Sequence, residues 1–141
     1  MIEKLDIVRI DSPGDDEWGA IGGGINEYNQ QHAGPENAKR VCFVLKDPEK
    51  KVVGGVIGLV YWDWFAIDLM YIQDPFRGQG YGTELLKLAE DEARVMGVKH
   101  IHLDTFSFQA PDFYIKNGYE IFGRLDQFPK GHQRFYLTKE L

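Results

Sequence analysis

A single cysteine, no apolar run long enough to cross a bilayer and a shortage of lysine and arginine mark this sequence. With Cys42 alone there is no internal disulfide and no cysteine-built metal centre, which points to a reducing, cytoplasmic setting. Cys42 falls in an apolar run expected to be a buried strand. A membrane-crossing helix needs roughly 18 consecutive apolar residues, and none occurs. The first six residues, Met-Ile-Glu-Lys-Leu-Asp, carry charge where a secretory signal would place its apolar stretch, so export is not expected. The 16 Lys and Arg stand against 22 Asp and Glu, and the net charge of −6 disfavours a nucleic-acid partner, because such binding depends on clustered basic residues. An acidic surface suits a cationic small molecule or a basic peptide, and serves solubility equally well.

What is present is enough for one folded domain over residues 1–141: a chain of that length buries roughly 70% of its unfolded surface. Residues 2–10 alternate loosely, with Leu5, Ile7 and Val8 apolar, and read as a first strand ending at Asp11-Ser12-Pro13-Gly14. A helix should follow, capped by Ser12, with Asp15, Asp16 and Glu17 near its positive end and Trp18, Ile21, Ile25 and Tyr28 on one face. Gly22-Gly23-Gly24 inside it costs about 3 kcal/mol relative to alanine and should leave it broken or loose, either as a mobile wall over a pocket or as a place of close backbone packing.

Residues 40–45 and 52–61 form two β-rich runs around the charged turn Asp47-Pro48-Glu49-Lys50-Lys51, a hairpin. A third strand over 65–73 follows the aromatic bend Tyr61-Trp62-Asp63-Trp64. The clearest helix spans 80–96, with Tyr81, Leu85, Leu88, Ala89, Ala93 and Met96 apolar and Gly97 as its stop. A strand over 100–106, a short helix over 111–117 stopped by Gly118, and a closing pair, 119–125 with 134–137, complete a mixed α/β order without internal repeats.

Arg77-Gly78-Gln79-Gly80-Tyr81-Gly82 joins a strand directly to that strong helix. Backbone N–H groups at a helix start bind phosphate, and glycines let a bulky diphosphate approach them. Two other nucleotide motifs fail on spacing: a dinucleotide fingerprint needs glycine where Thr83 stands, and a P-loop needs a lysine this turn lacks. A purely structural strand-to-helix turn is the plain alternative.

With these residues the sequence resembles the GNAT superfamily of N-acetyltransferases, whose cofactor motif is Arg or Gln, two residues, Gly, one residue, then Gly or Ala; Arg77, Gly80 and Gly82 satisfy it. The resemblance extends to Met70-Tyr71-Ile72 and to Ala110, Tyr114 and Gly118-Tyr119, and covers residues 38–123 best. Ser107 stands where the family has Asn, and Tyr119 replaces Phe, a change expected to matter little. The resemblance implies a GNAT-like α/β (α+β) domain with a mixed, mostly antiparallel sheet of six to seven strands and about four helices. It also implies transfer of an acetyl group from acetyl-CoA to an amine.

On that resemblance Met70 and Ile72 would pair with the pantetheine arm of coenzyme A, and Arg77, Gly78, Gln79, Gly80, Tyr81, Gly82 and Thr83 would hold its diphosphate, with Ser107 at the remaining cofactor position. Tyr114 matches the family's general acid for the departing thiolate; a packed core tyrosine is the alternative. Histone-modifying relatives carry a glutamate where Ala66 stands here. Asp68, placed by strand alternation on the face of Ala66 and Met70, is the nearest carboxylate for the base, and Asp104 the second choice; structural roles stay open for both. Tyr61, Trp62 and Trp64 could hold the acceptor's ammonium or flat ring, or serve core packing or a homodimer interface. His100 and His102 share a face without a third ligand, so no metal is expected. His132 follows a turn that could border the pocket. The expected acceptor is a small-molecule amine; a protein N-terminus or lysine, or a noncatalytic acyl-CoA sensor, are the competing readings.

Overall fold

Acidic residues open the first helix of the computed structural model, which describes residues 2–141. Residues 1–36 and 37–141 form two compact units. In the first, α1 (Asp15–Ala33) starts at Gly14, whose N–H donates to Glu17 Oε1 at 3.3 Å. Ser12, expected to cap it, lies outside the first turn; Glu17 reaches back from three residues beyond Gly14 and takes that part. The expected break at Gly22-Gly23-Gly24 is absent, and α1 runs through all three. Glycine lowers helix stability without forbidding helical angles, so good flanks carry the helix across it. Residues 2–10 form no strand. Their charges at Glu3, Lys4, Asp6 and Arg9 break up the alternation, and apolar side chains alone do not make a strand without a ladder partner.

The second unit is built on a six-stranded sheet in the order β1-β2-β3-β4-β6-β5. Its elements are β1 (Lys39–Lys46), β2 (Val52–Tyr61), β3 (Trp64–Ile72), α2 (Tyr81–Val95), β4 (His100–Phe106), α3 (Pro111–Lys116), β5 (Glu120–Asp126) and β6 (Gln133–Glu140), with a 3-10 turn at Asp74–Phe76. Every neighbouring pair is antiparallel except β3 with β4. The β2–β3 hairpin closes through Trp62 and Asp63, both at positive φ, the form of two-residue turn whose twist matches the strands. Among the described residues no helix is long and apolar enough to cross a membrane.

Helix α2 lays Leu85, Leu86, Ala89 and Ala93 on one side of the sheet, against Val41, Val56, Val60, Phe65 and Ile67. Each large apolar side chain buried this way contributes about 1.5–3 kcal/mol. The helix ends in a paired turn: the Gly97 N–H donates to Arg94 O at 2.9 Å and the Val98 N–H to Ala93 O at 2.9 Å, with Gly97 at φ +82. Cys42, expected inside, is exposed. It pairs with Ile57 on the sheet face away from α2, so a continuous apolar run in β1 hides a strand with only one face in the core.

Strand β3 carries an extra residue. Ile57 pairs with Leu69 but Gly58 with Ile67, leaving Asp68 as a bulge. Gly58 permits the close approach beside it, since a Cβ there would meet the Phe65 ring and would lie 2.6 Å from the Ala66 carbonyl. The bulge overturns the expectation that Ala66, Asp68 and Met70 share a face, because it shifts the alternation by one. Phe65, Ile67, Met70 and Ile72 keep the core side, while Ala66 turns to the other.

Candidate active site

Strands β3 and β4 pair over three residues only, Trp64–Ala66 with His100–His102, and then part. Beyond Ala66 the backbone of β3 on that side has no strand partner, and a cleft of about 820 Å³ opens between the two strands. Its walls are the outer half of β3, the glycine turn, β4 from Leu103 to Phe106, and Phe108, Gln109, Ala110, Phe113 and Tyr114 around the start of α3. A strand edge left open inside a fold accepts an extended ligand as it would another strand.

The glycine turn stands at one end of this cleft. Gly78 and Gly80 sit at φ +74 and +88, and a Cβ at either would meet nothing within 4 Å, so open space lies over both. Gly80 precedes the first turn of α2, whose leading N–H groups have no intrahelical acceptor and carry the positive end of the helix. Gly82 is packed more tightly, a Cβ there lying 3.3 Å from the Phe113 ring. A cradle of this shape fits a diphosphate. Arg77 is spent on the turn itself: its Nε donates to Ile72 O at 2.6 Å, it pairs with Asp74, and its guanidinium lies 5.3 Å from the centre of the Tyr71 ring.

Tyr114 closes the other wall. The short helix that carries it ends in the same paired turn as α2: Gly118 N–H donates to Ile115 O at 3.1 Å and Tyr119 N–H to Tyr114 O at 3.0 Å. That turn brings the Tyr119 ring edge-on to Tyr114 at 5.7 Å, so Gly118-Tyr119 sets the attitude of the phenol. Burial pushes the Tyr114 phenol from its usual value near 10 up to about 12, and the Asp104 carboxylate adds to the rise. Asp104 itself is held by Arg134, whose Nε (2.9 Å) and Nη2 (2.7 Å) both reach Oδ1.

Of the residues expected to form the site, Asp68, Met70, Ile72, Arg77, Gly78, Gly80, Tyr81, Gly82, Thr83 and Tyr114 line the cleft. Others do not. Gln79 turns its amide back to Pro75 O at 3.2 Å. Ser107 is drawn to β6, where its hydroxyl accepts the Gln133 N–H at 3.1 Å. Tyr61, Trp62 and Trp64 sit at the opposite end of β3 from Met70 and Ile72, and Trp64 stacks on His100 at 4.7 Å. The Asp68 carboxylate is held by Arg40 at 2.7 Å. The change at Tyr119, expected to matter little, does matter: its hydroxyl donates to the buried Glu90 at 2.8 Å. Sequence reasoning missed Arg134, thirty positions from its partner Asp104, and the aromatic pair at the cleft, Phe106 and Phe108, with Phe128 behind Phe106; the alternation of β4 and the turn before His132 are the signals in sequence for them.

An open strand edge running from a glycine turn at a helix start to a buried phenol makes a cleft suited to an extended, phosphate-bearing ligand. Residues 12–119 match the Acetyltransferase (GNAT) family, and the chain belongs to it: it is an acetyltransferase that binds acetyl-CoA. A blasticidin-S acetyltransferase from Streptomyces morookaense is 36% identical over 92 residues, 64% of this chain and 68% of the relative. An acetyltransferase from Agrobacterium fabrum is 28% identical over 112 residues, 79% of this chain and 82% of its own. The crystal structure of an acetyltransferase from Bacillus cereus superposes with a TM-score of 0.88 at 34% identity, over 95% of this chain and 98% of that one.

Proposed function

We propose that this acetyltransferase acts on a primary amine of a small molecule, with amine and acetyl-CoA held in the cleft together and the amine attacking directly. One observation carries the reading: Tyr114 and Asp104 open on the same cleft as the glycine turn, near enough for the Asp104 charge to bear on the phenol. The relative named for blasticidin S supports a small-molecule acceptor. The Bacillus cereus relative, aligned over 95% of this chain, supports treating residues 1–141 as one acetyltransferase domain, and the lone cysteine supports a cytoplasmic setting.

Acetyl-CoA, when bound, supplies the acetyl group as an activated thioester. The amides of Gly78 to Thr83 would hold its diphosphate and the Met70–Ile72 edge its pantetheine arm, while Arg77 keeps the turn in shape. Asp104 replaces Asp68 as the proton acceptor in this reading. Arg134 holds Asp104 through Oδ1, and Oδ2 would take the ammonium proton. Tyr114 donates a hydrogen bond at the departing sulfur. A full proton transfer from a phenol near 12 to a thiolate of pKa about 8.5 is uphill by about 5 kcal/mol, so the phenol acts chiefly as a positioned donor.

The test is release of free thiol from acetyl-CoA across a panel of small amines and of peptides with free N-termini. Turnover confined to small amines is the expected result. Tight binding of acetyl-CoA with no thiol released by any amine would reduce the chain to an acyl-CoA-binding module.

A further inference from the structure

We infer that the acceptor carries a flat aromatic or heteroaromatic ring, which seats on the outer face of Phe108 at the mouth of the cleft. The inference rests on the amine-acetylation reading and adds the acceptor's class to it. Stacked layers already stand at that point. The Arg134 guanidinium lies 5.3 Å from the centre of the Phe106 ring, and Phe106 lies 5.3 Å from Phe108 with only 9° between their planes. Phe128 closes on Phe106 at 5.4 Å, and the His132 ring meets Phe108 edge-on at 5.1 Å.

The stack ends in the open. Phe108 is 57% exposed, yet it lines the same cleft as Tyr114 and Asp104. An exposed phenylalanine on a slack loop would mean little, but this loop is pinned: Gln109 Oε1 accepts the Phe106 N–H at 2.8 Å and the Thr105 hydroxyl at 3.2 Å. The backbone that carries the ring is therefore held before any ligand arrives, which lowers the ordering cost of binding. One more ring on Phe108 continues the series as an offset-stacked layer. A bare alkylammonium fits less well, since the inner layer of the stack is already a cation. A ring seated there carries its amine into the cleft that Asp104 lines.

Matched amines test this. Phenethylamine and tryptamine are compared with cyclohexylethylamine, which has similar bulk and no aromatic face, by thiol release from acetyl-CoA with the full chain. The expected kcat/KM is about tenfold higher for the aromatic amines, falling to near parity in Phe108→Ala and retained in Phe108→Trp, while the KM for acetyl-CoA stays constant. Turnover with no aromatic preference, or a preference that survives Phe108→Ala, overturns the inference and leaves the amine-acetylation reading standing. If no amine releases thiol, that reading fails on its own account. The ring site is then judged by NMR of the phenylalanine rings: tryptamine shifting Phe106 and Phe108 where cyclohexylethylamine does not supports it, and equal or absent shifts overturn it.

Discussion

The Tyr119 hydroxyl donates to Glu90 Oε2 at 2.8 Å inside the protein, joining the turn after α3 to the middle of α2. Lys139 of β6 completes the group, reaching both Glu90 oxygens at 3.1 Å and Asn117 O at 2.8 Å. Three elements meet on one buried carboxylate, only 5% exposed, and each polar atom there has a partner. Because the Tyr119 ring also braces Tyr114, this network sits directly behind the phenol assigned to the chemistry.

Lys139→Met should destabilise the chain by about 3 kcal/mol, because it strands the Glu90 carboxylate with the Tyr119 hydroxyl as its remaining donor. The triple change Glu90→Leu, Tyr119→Phe, Lys139→Met removes all three side chains together, leaving only the Asn117 carbonyl without its donor, and should fall within about 1 kcal/mol of the parent. Urea unfolding checks both. A single change as mild as the triple one would show that the network carries no buried charge to be satisfied.

Tyr114→Phe should lower kcat about 10²-fold or more, with little change in acetyl-CoA affinity. The ring is buried against Phe113 and Tyr119, and phenylalanine keeps those contacts, so the fold should hold. Steady-state kinetics with calorimetric titration of acetyl-CoA separates the two effects. Unchanged kcat would reassign Tyr114 to packing.

Much of the frame was legible because its signals are local. The runs at β2 and β4 are β-rich between turn residues, α2 repeats its apolar residues at helical spacing, and glycine marks both paired helix ends, Gly97 and Gly118. The glycine turn was legible for the same reason. What escaped depends on neighbours distant in sequence. Asp68 became a bulge residue because Gly58, ten positions away, lets β2 crowd β3; alternation cannot report that. Asp104 gained its partner from Arg134, and Tyr119 from Glu90 and Lys139, all across the fold. The aromatic bend at Trp62 and Trp64 is conspicuous in sequence and lies at the end of β3 away from Met70 and Ile72, whereas Phe106 and Phe108 line the cleft because β3 and β4 part there.

Alkali should weaken the fold from about pH 10 upward. In the unfolded chain tyrosine loses its proton near 10, while the folded chain holds the Tyr114 proton to about 12 and the Tyr119 proton higher still, through burial first and Glu90 next. The folded state binds more protons over that interval, so stability is fully present below pH 10 and falls by about 1.4 kcal/mol per pH unit for each group above it. Urea midpoints across that range measure the fall, and phenolate absorbance of the folded chain should show two tyrosines still protonated at pH ~11, Tyr114 and Tyr119. Asp104→Asn removes a charge that raises Tyr114 and should bring its titration below about 12. A native titration of all the tyrosines near 10 would remove both phenols from the buried site.

Gly80→Val should cost acetyl-CoA affinity at least 100-fold while leaving a folded chain. The position needs φ +88, which a β-branched residue adopts at roughly 1–2 kcal/mol of strain, a cost the domain can absorb. The ligand loss should be larger, because the added side chain enters space that is otherwise open above the leading amides of α2 and keeps a diphosphate from their N–H groups. Gly82→Ala provides the contrast. Its Cβ would sit 3.3 Å from the Phe113 ring, so the neighbour must give way, and the effect should appear in stability as well as in binding. Calorimetric titration with acetyl-CoA and thermal melts on both variants separate the two costs; a Gly80→Val chain that binds acetyl-CoA as the parent does would place the diphosphate elsewhere.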